Sequence, residues 1–212
     1  MIALNTEVQM KLTTEAFLTN STLISDNMSV HESLETAGKL IINSVAENLK
    51  REGLLKTPQR FSKAIQEICS GYKLTPLDAV GEGIFQGEGQ GLVSIRDIDF
   101  FSLCEHHMLP FWGKASVAYY PKDKIVGLSK IPRIVDVYAK RLQVQERLTQ
   151  EVATGLFELV DARAVLVKIS GEHMCMMMRG VKKSGSQTVT EFSVGLDNLS
   201  TDEKTRFWKS ID

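Results

Sequence analysis

The chain has 212 residues, 43% hydrophobic and 24% charged, enough for one substantial soluble domain with an appended helical segment and too few for two large ones. Its 25 Lys and Arg balance 26 Asp and Glu, which excludes a protein devoted to coating nucleic acid or an anionic membrane but permits a local basic pocket. Three Cys exclude a disulfide-built scaffold, no apolar run approaches the ~18 residues of a membrane span, and the first residues carry no secretory pattern, so a cytoplasmic location is expected.

Residues 1–28 are rich in Thr, Ser, Asn and Met and read as a flexible tail, with a short helix near Glu15 to Leu18. Residues 29–91 read as a helical segment. Ser29 and Glu32 form a capping box, and Leu34, Ala37, Ile41, Val45 and Leu49 keep one face apolar until Gly53. Thr57-Pro58 opens a second helix with Phe61, Ala64, Ile65 and Ile68 as its buried stripe, ended by Gly71; Thr75-Pro76 opens a further short turn. The glycine-rich run Gly81 to Gly91 reads as a loop.

Residues 92–212 change character. Leu92 to Ile98 and Trp112 to Tyr120 read as strands, followed by a helix capped by Ser129 and a second helix carrying Leu148, Val152, Leu156 and Leu159. Two more strands, Ala164 to Ser170 and Gln187 to Val194, precede a short helix that starts at the Ser200/Glu203 box. The order strand, strand, helix, helix, strand, strand makes an α+β fold. A four-stranded sheet of this kind has open edges, so strand-to-strand association of subunits is expected.

Two of the three Cys and three of the four His fall in two short segments, Cys104-Glu105-His106-His107 and His173-Met174-Cys175. Cys104 and His107 have the spacing at which a thiolate and an imidazole reach one ion, and Cys175 is the other well-placed thiolate. Three protein ligands leave a fourth tetrahedral position for water, the catalytic arrangement; a closed structural site would need His106 or Cys69 as well. Ordinary buried thiols are the plainer reading of the two Cys, as packing is of the Met174 to Met178 run. His106 and His173, beside the ligands, suit proton transfer or support of a ligand from behind.

Basic residues gather near these segments. Ser129, Lys130 and Arg133 stand at the start of a helix, where free N–H groups and positive side chains favour anions, and Arg179 follows the second metal segment. Arg60 and Lys63 lie on one face of the second helix, where surface solvation is the ordinary role. Gln145-Glu146 opens the later helix. A carboxylate there complements the helix dipole, or accepts two N–H bonds from a guanine edge.

Together these segments resemble GTP cyclohydrolase I. The resemblance rests on Cys104-Glu105-His106-His107 with Pro110, Gly127-Leu128-Ser129-Lys130 with Arg133, Arg141 through Leu148, and His173-x-Cys175 with Arg179-Gly180, and spans about residues 35 to 195. Met176-Met177-Met178 and Leu196-Asp197 depart from the family's pattern. The family implies a tunnelling fold in a homodecamer of two pentamers, with active sites between subunits. It implies one zinc ion per subunit, held by Cys104, His107 and Cys175, and hydrolysis of GTP to formate and 7,8-dihydroneopterin triphosphate, the first step toward folate or another pterin. His173 and His106 would carry protons, and Ser129 would act near the ribose. Lys130, Arg133 and Arg179 would hold the triphosphate, with Arg60 and Lys63 reaching in from a neighbouring subunit, and Gln145 and Glu146 would recognise guanine.

Other readings fit less well. A zinc nucleobase deaminase needs His-x-Glu and Pro-Cys-x-x-Cys, whereas Glu105 precedes the histidines here and position 178 is Met. The metal-free 7-cyano-7-deazaguanine reductases lack the Cys-Glu-His-His block. A binding protein that had lost turnover would not need both His106 and His173.

Overall fold

The computed structural model describes residues 28–87 and 91–211, so the expected tail and its short helix lie outside the described residues. Two compact units result, one reaching to Gln66 and one running from Glu67. No helix among the described residues is long and apolar enough to cross a membrane.

In the first unit, helix α1 (Val30–Ser44) starts at the expected capping box, with Ser29 N donating to Glu32 at 2.8 Å and Glu32 N to Ser29 Oγ at 3.3 Å. It stops at Ser44, well short of Gly53. Ala46 takes φ 61° while its N–H bonds Asn43 O and the Glu47 N–H bonds Ile42 O, a Schellman closure with Ala where glycine is usual. Its buried residues are Gly38 and Ile42, not the Leu34 to Leu49 stripe. Helix α2 (Thr57–Ile68) likewise turns Pro58 and Ser62 inward and leaves Ala64 and Ile68 exposed. The reason is a polar contact invisible to apolar periodicity: buried Ser62 Oγ meets His31 Nδ1 at 2.8 Å, and the Phe61 ring packs where a Cβ on Gly38 would stand.

The second unit opens with a short 3₁₀ turn, Ser70–Lys73, and helix α3 (Pro76–Val80) behind a Thr75/Asp78 capping box. Strand β1 (Ile84–Gln86), inside the expected loop, pairs antiparallel with β4 (Lys124–Val126). The main sheet is built from β2 (Val93–Cys104), β3 (Pro110–Tyr120), β5 (Leu142–Gln143), β6 (Ala164–His173) and β7 (Thr188–Val194), in the spatial order β5-β2-β3-β6-β7. Its four long strands are antiparallel; β5 adds a short parallel edge to the end of β2. The expected order of long elements is present, with helices α4 (Lys130–Ala139) and α5 (Gln145–Val160) between β3 and β6. Leu148, Val152 and Leu156 on α5 are fully buried against Val117, Val165 and Val167 of the sheet. Each such leucine contributes about 1.5–3 kcal/mol.

Strand β2 runs six residues past its expected end because of a bulge. Ile95 pairs with Val117 but Ile98 pairs with Ala115, with Asp97 at φ 57° as the extra residue. The bulge reverses side-chain parity, so odd-numbered Val93 and Ile95 and even-numbered Ile98, Phe100 and Cys104 all join the helix-covered core. A strict alternation pattern breaks at this point. The opposite face, Ala118, Tyr120, Ala164 and Leu166, is closed by Leu199, Phe207 and Ile211.

Phe207 belongs to helix α7 (Thr201–Lys209), which begins at the expected Ser200/Glu203 box. The Ser200 N–H, the Arg163 guanidinium and the Ser200 hydroxyl hold the Glu203 carboxyl well below its usual range, at about 2. A carboxyl depressed on folding stabilises the native state above its unfolded value near ~4.3 and loses that contribution as pH falls toward 2. Acidification from pH 5 to 2.5 is therefore expected to loosen α7, read by Trp208 fluorescence or amide exchange, and Glu203→Gln should flatten that dependence.

Candidate metal centre and active site

One end of the sheet gathers the site. Leu103 of β2 faces Pro110 of β3, Phe111 of β3 faces His173 of β6, and Cys104 pairs in parallel with Gln143 of β5. Cys104 is the last residue of β2 and is buried, and its N–H bonds Leu109 O across the connection to β3. The intervening loop folds back on Cys104 O, which accepts from Met108 N at 2.7 Å and His107 N at 3.3 Å, with Met108 at φ 53°. This turn sets His107 Nδ1 at 3.9 Å from Cys104 Sγ.

Cys175 arrives from the other side. After His173 the chain makes one turn of helix, α6 (Met174–Met177), which the sequence reading did not include. Gly180 at φ 62° and a bond from Lys183 N to Met176 O fold the chain away again. Ligand atoms of Cys104, His107 and Cys175 then lie within 4.8 Å of one another, the only such group of three among the described residues. Cys69 is not a member, and neither is His106.

This donor set fits a borderline-soft divalent ion. Burial, then the neighbouring Cys104 sulfur, push the Cys175 thiol up, while Arg179 pulls the other way. Two sulfurs with an imidazole at this separation become a favourable arrangement when a cation takes the charge of the thiolates. Arg179 stands on the rim, Nη1 at 3.3 Å from His107 Nε2.

A polar group stands near each flanking histidine. The Arg147 guanidinium bonds the Glu105 carboxylate, whose other oxygen lies 3.9 Å from His106 Nε2. Arg147 is itself held by Gln143 Oε1 at 2.9 Å and Leu142 O at 3.1 Å. That bond keeps Glu105 below the usual carboxylate range and raises Arg147. His173 stacks on Phe111 with ring centroids 4.7 Å apart and planes 3° from parallel, and its Nε2 meets Gln145 Oε1 at 2.9 Å. Burial lowers the His173 pKa, opposed by the nearby Glu146 carboxylate. Phe111, Arg147 and the Glu105 contact were not assigned a part by sequence reasoning; the position of Glu105 between Cys104 and His106 was the available signal.

The structure thus brings together Cys104, His107, Cys175, His106, His173, Gln145 and Arg179. Gln145, expected on a guanine edge, is buried, with its amide engaged inside the chain. Glu146 is exposed at the first turn of α5. Ser129 occupies the N-cap of α4 but makes no capping bond. The Lys130 stem lies on the backbone of Gly83, where a Cβ would come within 2.7 Å of Lys130 Cε. Arg133 is exposed and lines a cleft with Asp78, Asp136 and Lys140. Arg60 and Lys63 belong to the first unit, both exposed on α2.

The sequence profile of GTP cyclohydrolase I matches residues 34–212, beyond the span of about 35 to 195 read from motifs. The chain belongs to the GTP cyclohydrolase I family. GTP cyclohydrolase 1 of Campylobacter jejuni is 47% identical over 177 residues, covering 84% of this chain and 92% of its own. That of Leptospira biflexa is 51% identical over 166 residues, 78% of this chain and 90% of its own, and that of Parabacteroides distasonis is 47% identical over 171 residues, 80% and 87%.

Gly171 leaves room for the Gln145 amide. Gly113 faces Gly171 across β3 and β6, and a Cβ on Gly171 would stand 2.5 Å from Gln145 Oε1. Gly171→Ala is expected to displace that amide and cost about 1–3 kcal/mol of stability, read from the urea midpoint. An unchanged midpoint would mean the amide has room to move.

Proposed function

We propose that the chain is a zinc-dependent GTP cyclohydrolase I. It hydrolyses the imidazole ring of GTP to give formate and 7,8-dihydroneopterin triphosphate, opening tetrahydrofolate or another pterin pathway. The observation that carries this reading is a group of three ligand-type side chains, Cys104, His107 and Cys175, flanked by two histidines in a chain of that family. Three protein donors leave one tetrahedral position open, as catalysis requires.

Cys104, His107 and Cys175 would hold one zinc ion per chain. When bound there, zinc supplies the polarisation that makes water nucleophilic at neutral pH. His173, held between Phe111 and Gln145, takes a proton from the attacking water at its free ring nitrogen and delivers it to the imidazole nitrogen next to the carbon under attack. His106, exposed and near the Glu105 carboxylate, serves the later proton transfers as the ring opens and formate leaves. Glu146 accepts the ring N–H and amino group of guanine, and Ser129 acts near the ribose. Arg179, Lys130 and Arg133 take the triphosphate.

We place the chain in the tunnelling-fold group, in the cytoplasm, as a homodecamer of two pentamers. Support for subunit association comes from the sheet itself, since β2 pairs with β5 only at Leu103 and Cys104, leaving most of its outer edge without a strand partner among the described residues. In such an assembly Arg60 and Lys63 would complete the triphosphate site of a neighbouring subunit.

Incubation of the purified chain with GTP, with zinc content, formate and pterin fluorescence followed together, tests this reading. About one zinc per chain and stoichiometric formate are expected. Zinc far below that, or full zinc without formate, overturns it. His173→Ala should keep zinc and lose at least ~100-fold in kcat, whereas Cys175→Ala should lose zinc.

A further inference from the structure

The amide of Gln145 can be oriented from its neighbours alone. Its Nε2 lies 3.1 Å from Ile169 O, 2.8 Å from Thr188 O and 3.1 Å from Thr190 Oγ1. Two of these are carbonyl oxygens, which only accept. Turning the amide over would press Oε1 against both, so the NH₂ group must face β6 and β7 and Oε1 must face His173.

The two neighbouring hydroxyls are ordered as well. Thr149 Oγ1 donates to Gln145 O at 2.7 Å, so its hydrogen is taken. Thr190 and Thr149 hydroxyls are 2.6 Å apart, which makes Thr190 the donor of that pair and leaves its lone pairs for the Gln145 NH₂. Every hydrogen in this buried group has an assigned acceptor. Oε1 is then an acceptor pointed at His173 Nε2 at 2.9 Å, and that ring nitrogen must carry the hydrogen. Nδ1 of His173 makes no hydrogen bond to a described residue.

We propose that Gln145 is a positioning residue that fixes the tautomer of His173, placing the hydrogen on Nε2 and the lone pair on Nδ1. The consequence rests on the reading of His173 as a proton carrier: substrate meets Nδ1, and Gln145 acts through His173 without touching the base. Phe111 stacks on the ring, and the absence of a Cβ at Gly171 leaves the Gln145 amide its place against Nε2.

The test starts on the unmodified zinc-loaded chain, labelled with ¹⁵N and ¹³C in histidine. The chain has four His, and loss of one spin system in His173→Asn assigns the signal. Nitrogen shifts should give His173 a single tautomer with hydrogen on Nε2; hydrogen on Nδ1, or a mixture, overturns the proposal. Gln145→Leu should then let the tautomers mix and lower kcat by about 10–100-fold with KM for GTP changed less than about two-fold. A raised KM with kcat preserved would show direct contact with the base and also overturn it. Should Gln145→Leu fail to fold, Thr190→Val keeps the glutamine while removing one acceptor, and the tautomer in the unmodified chain decides by itself. Absence of formate from the unmodified chain would instead count against the cyclohydrolase reading and leave the tautomer result standing.

Discussion

Everything at the site depends on strand register. Cys104 and Cys175 are far apart in sequence, and what brings their sulfurs together is the pairing of β2 with β3 and of β3 with β6. The bulge at Asp97 decides which face Cys104 takes. Without that extra residue the strand's parity would carry Cys104 to the other side of the sheet from α4 and α5. The pairing of Phe111 with His173 then brings Cys175 to the same end through one turn of helix. A slip of one residue in either pair would scatter the three ligand-type side chains.

Two polar sets flank this group, one buried beside His173 and one more exposed near His106. Gln145, Thr149 and Thr190 form a closed set on the His173 side, and Gln143, Arg147 and Glu105 form another on the His106 side. Both sets start from the first residues of α5 or the short strand before it, so one helix N-terminus lies behind both, with a direct bond to His173 alone. A satisfied buried network such as the His173 set rigidifies its surroundings, which suits the proton-carrying role proposed for that ring.

Much of this was legible in the sequence, for identifiable reasons. Capping boxes at Ser29 and Ser200 set helix starts, and the Leu148, Val152, Leu156 spacing set the buried face of α5. Five of seven Cys and His residues converge because scarce, chemically distinctive residues clustered in two segments. What was not legible lay in single backbone events and polar packing. Ala46 in a left-handed conformation ended α1 where no glycine marked a stop. The Asp97 bulge hid half of β2 from alternation counting, and a Ser62–His31 contact turned α2 away from its apolar stripe. Gln145 looked like a recognition residue by position; only the acceptors around it reveal that its amide is occupied.

The near-neutral charge of the whole chain conceals local design, since Arg179 sits beside the sulfurs and Lys130 and Arg133 open a helix on the same unit. Cys104, His107 and Cys175 are proposed to hold one zinc ion with a fourth position left for solvent. X-ray absorption at the zinc edge of the reconstituted chain tests it most directly. Two sulfurs are expected at about 2.3 Å with two lighter atoms, one imidazole nitrogen and one oxygen, at about 2.0–2.1 Å. A shell with a single sulfur, or with two imidazoles beside the two sulfurs, would contradict it.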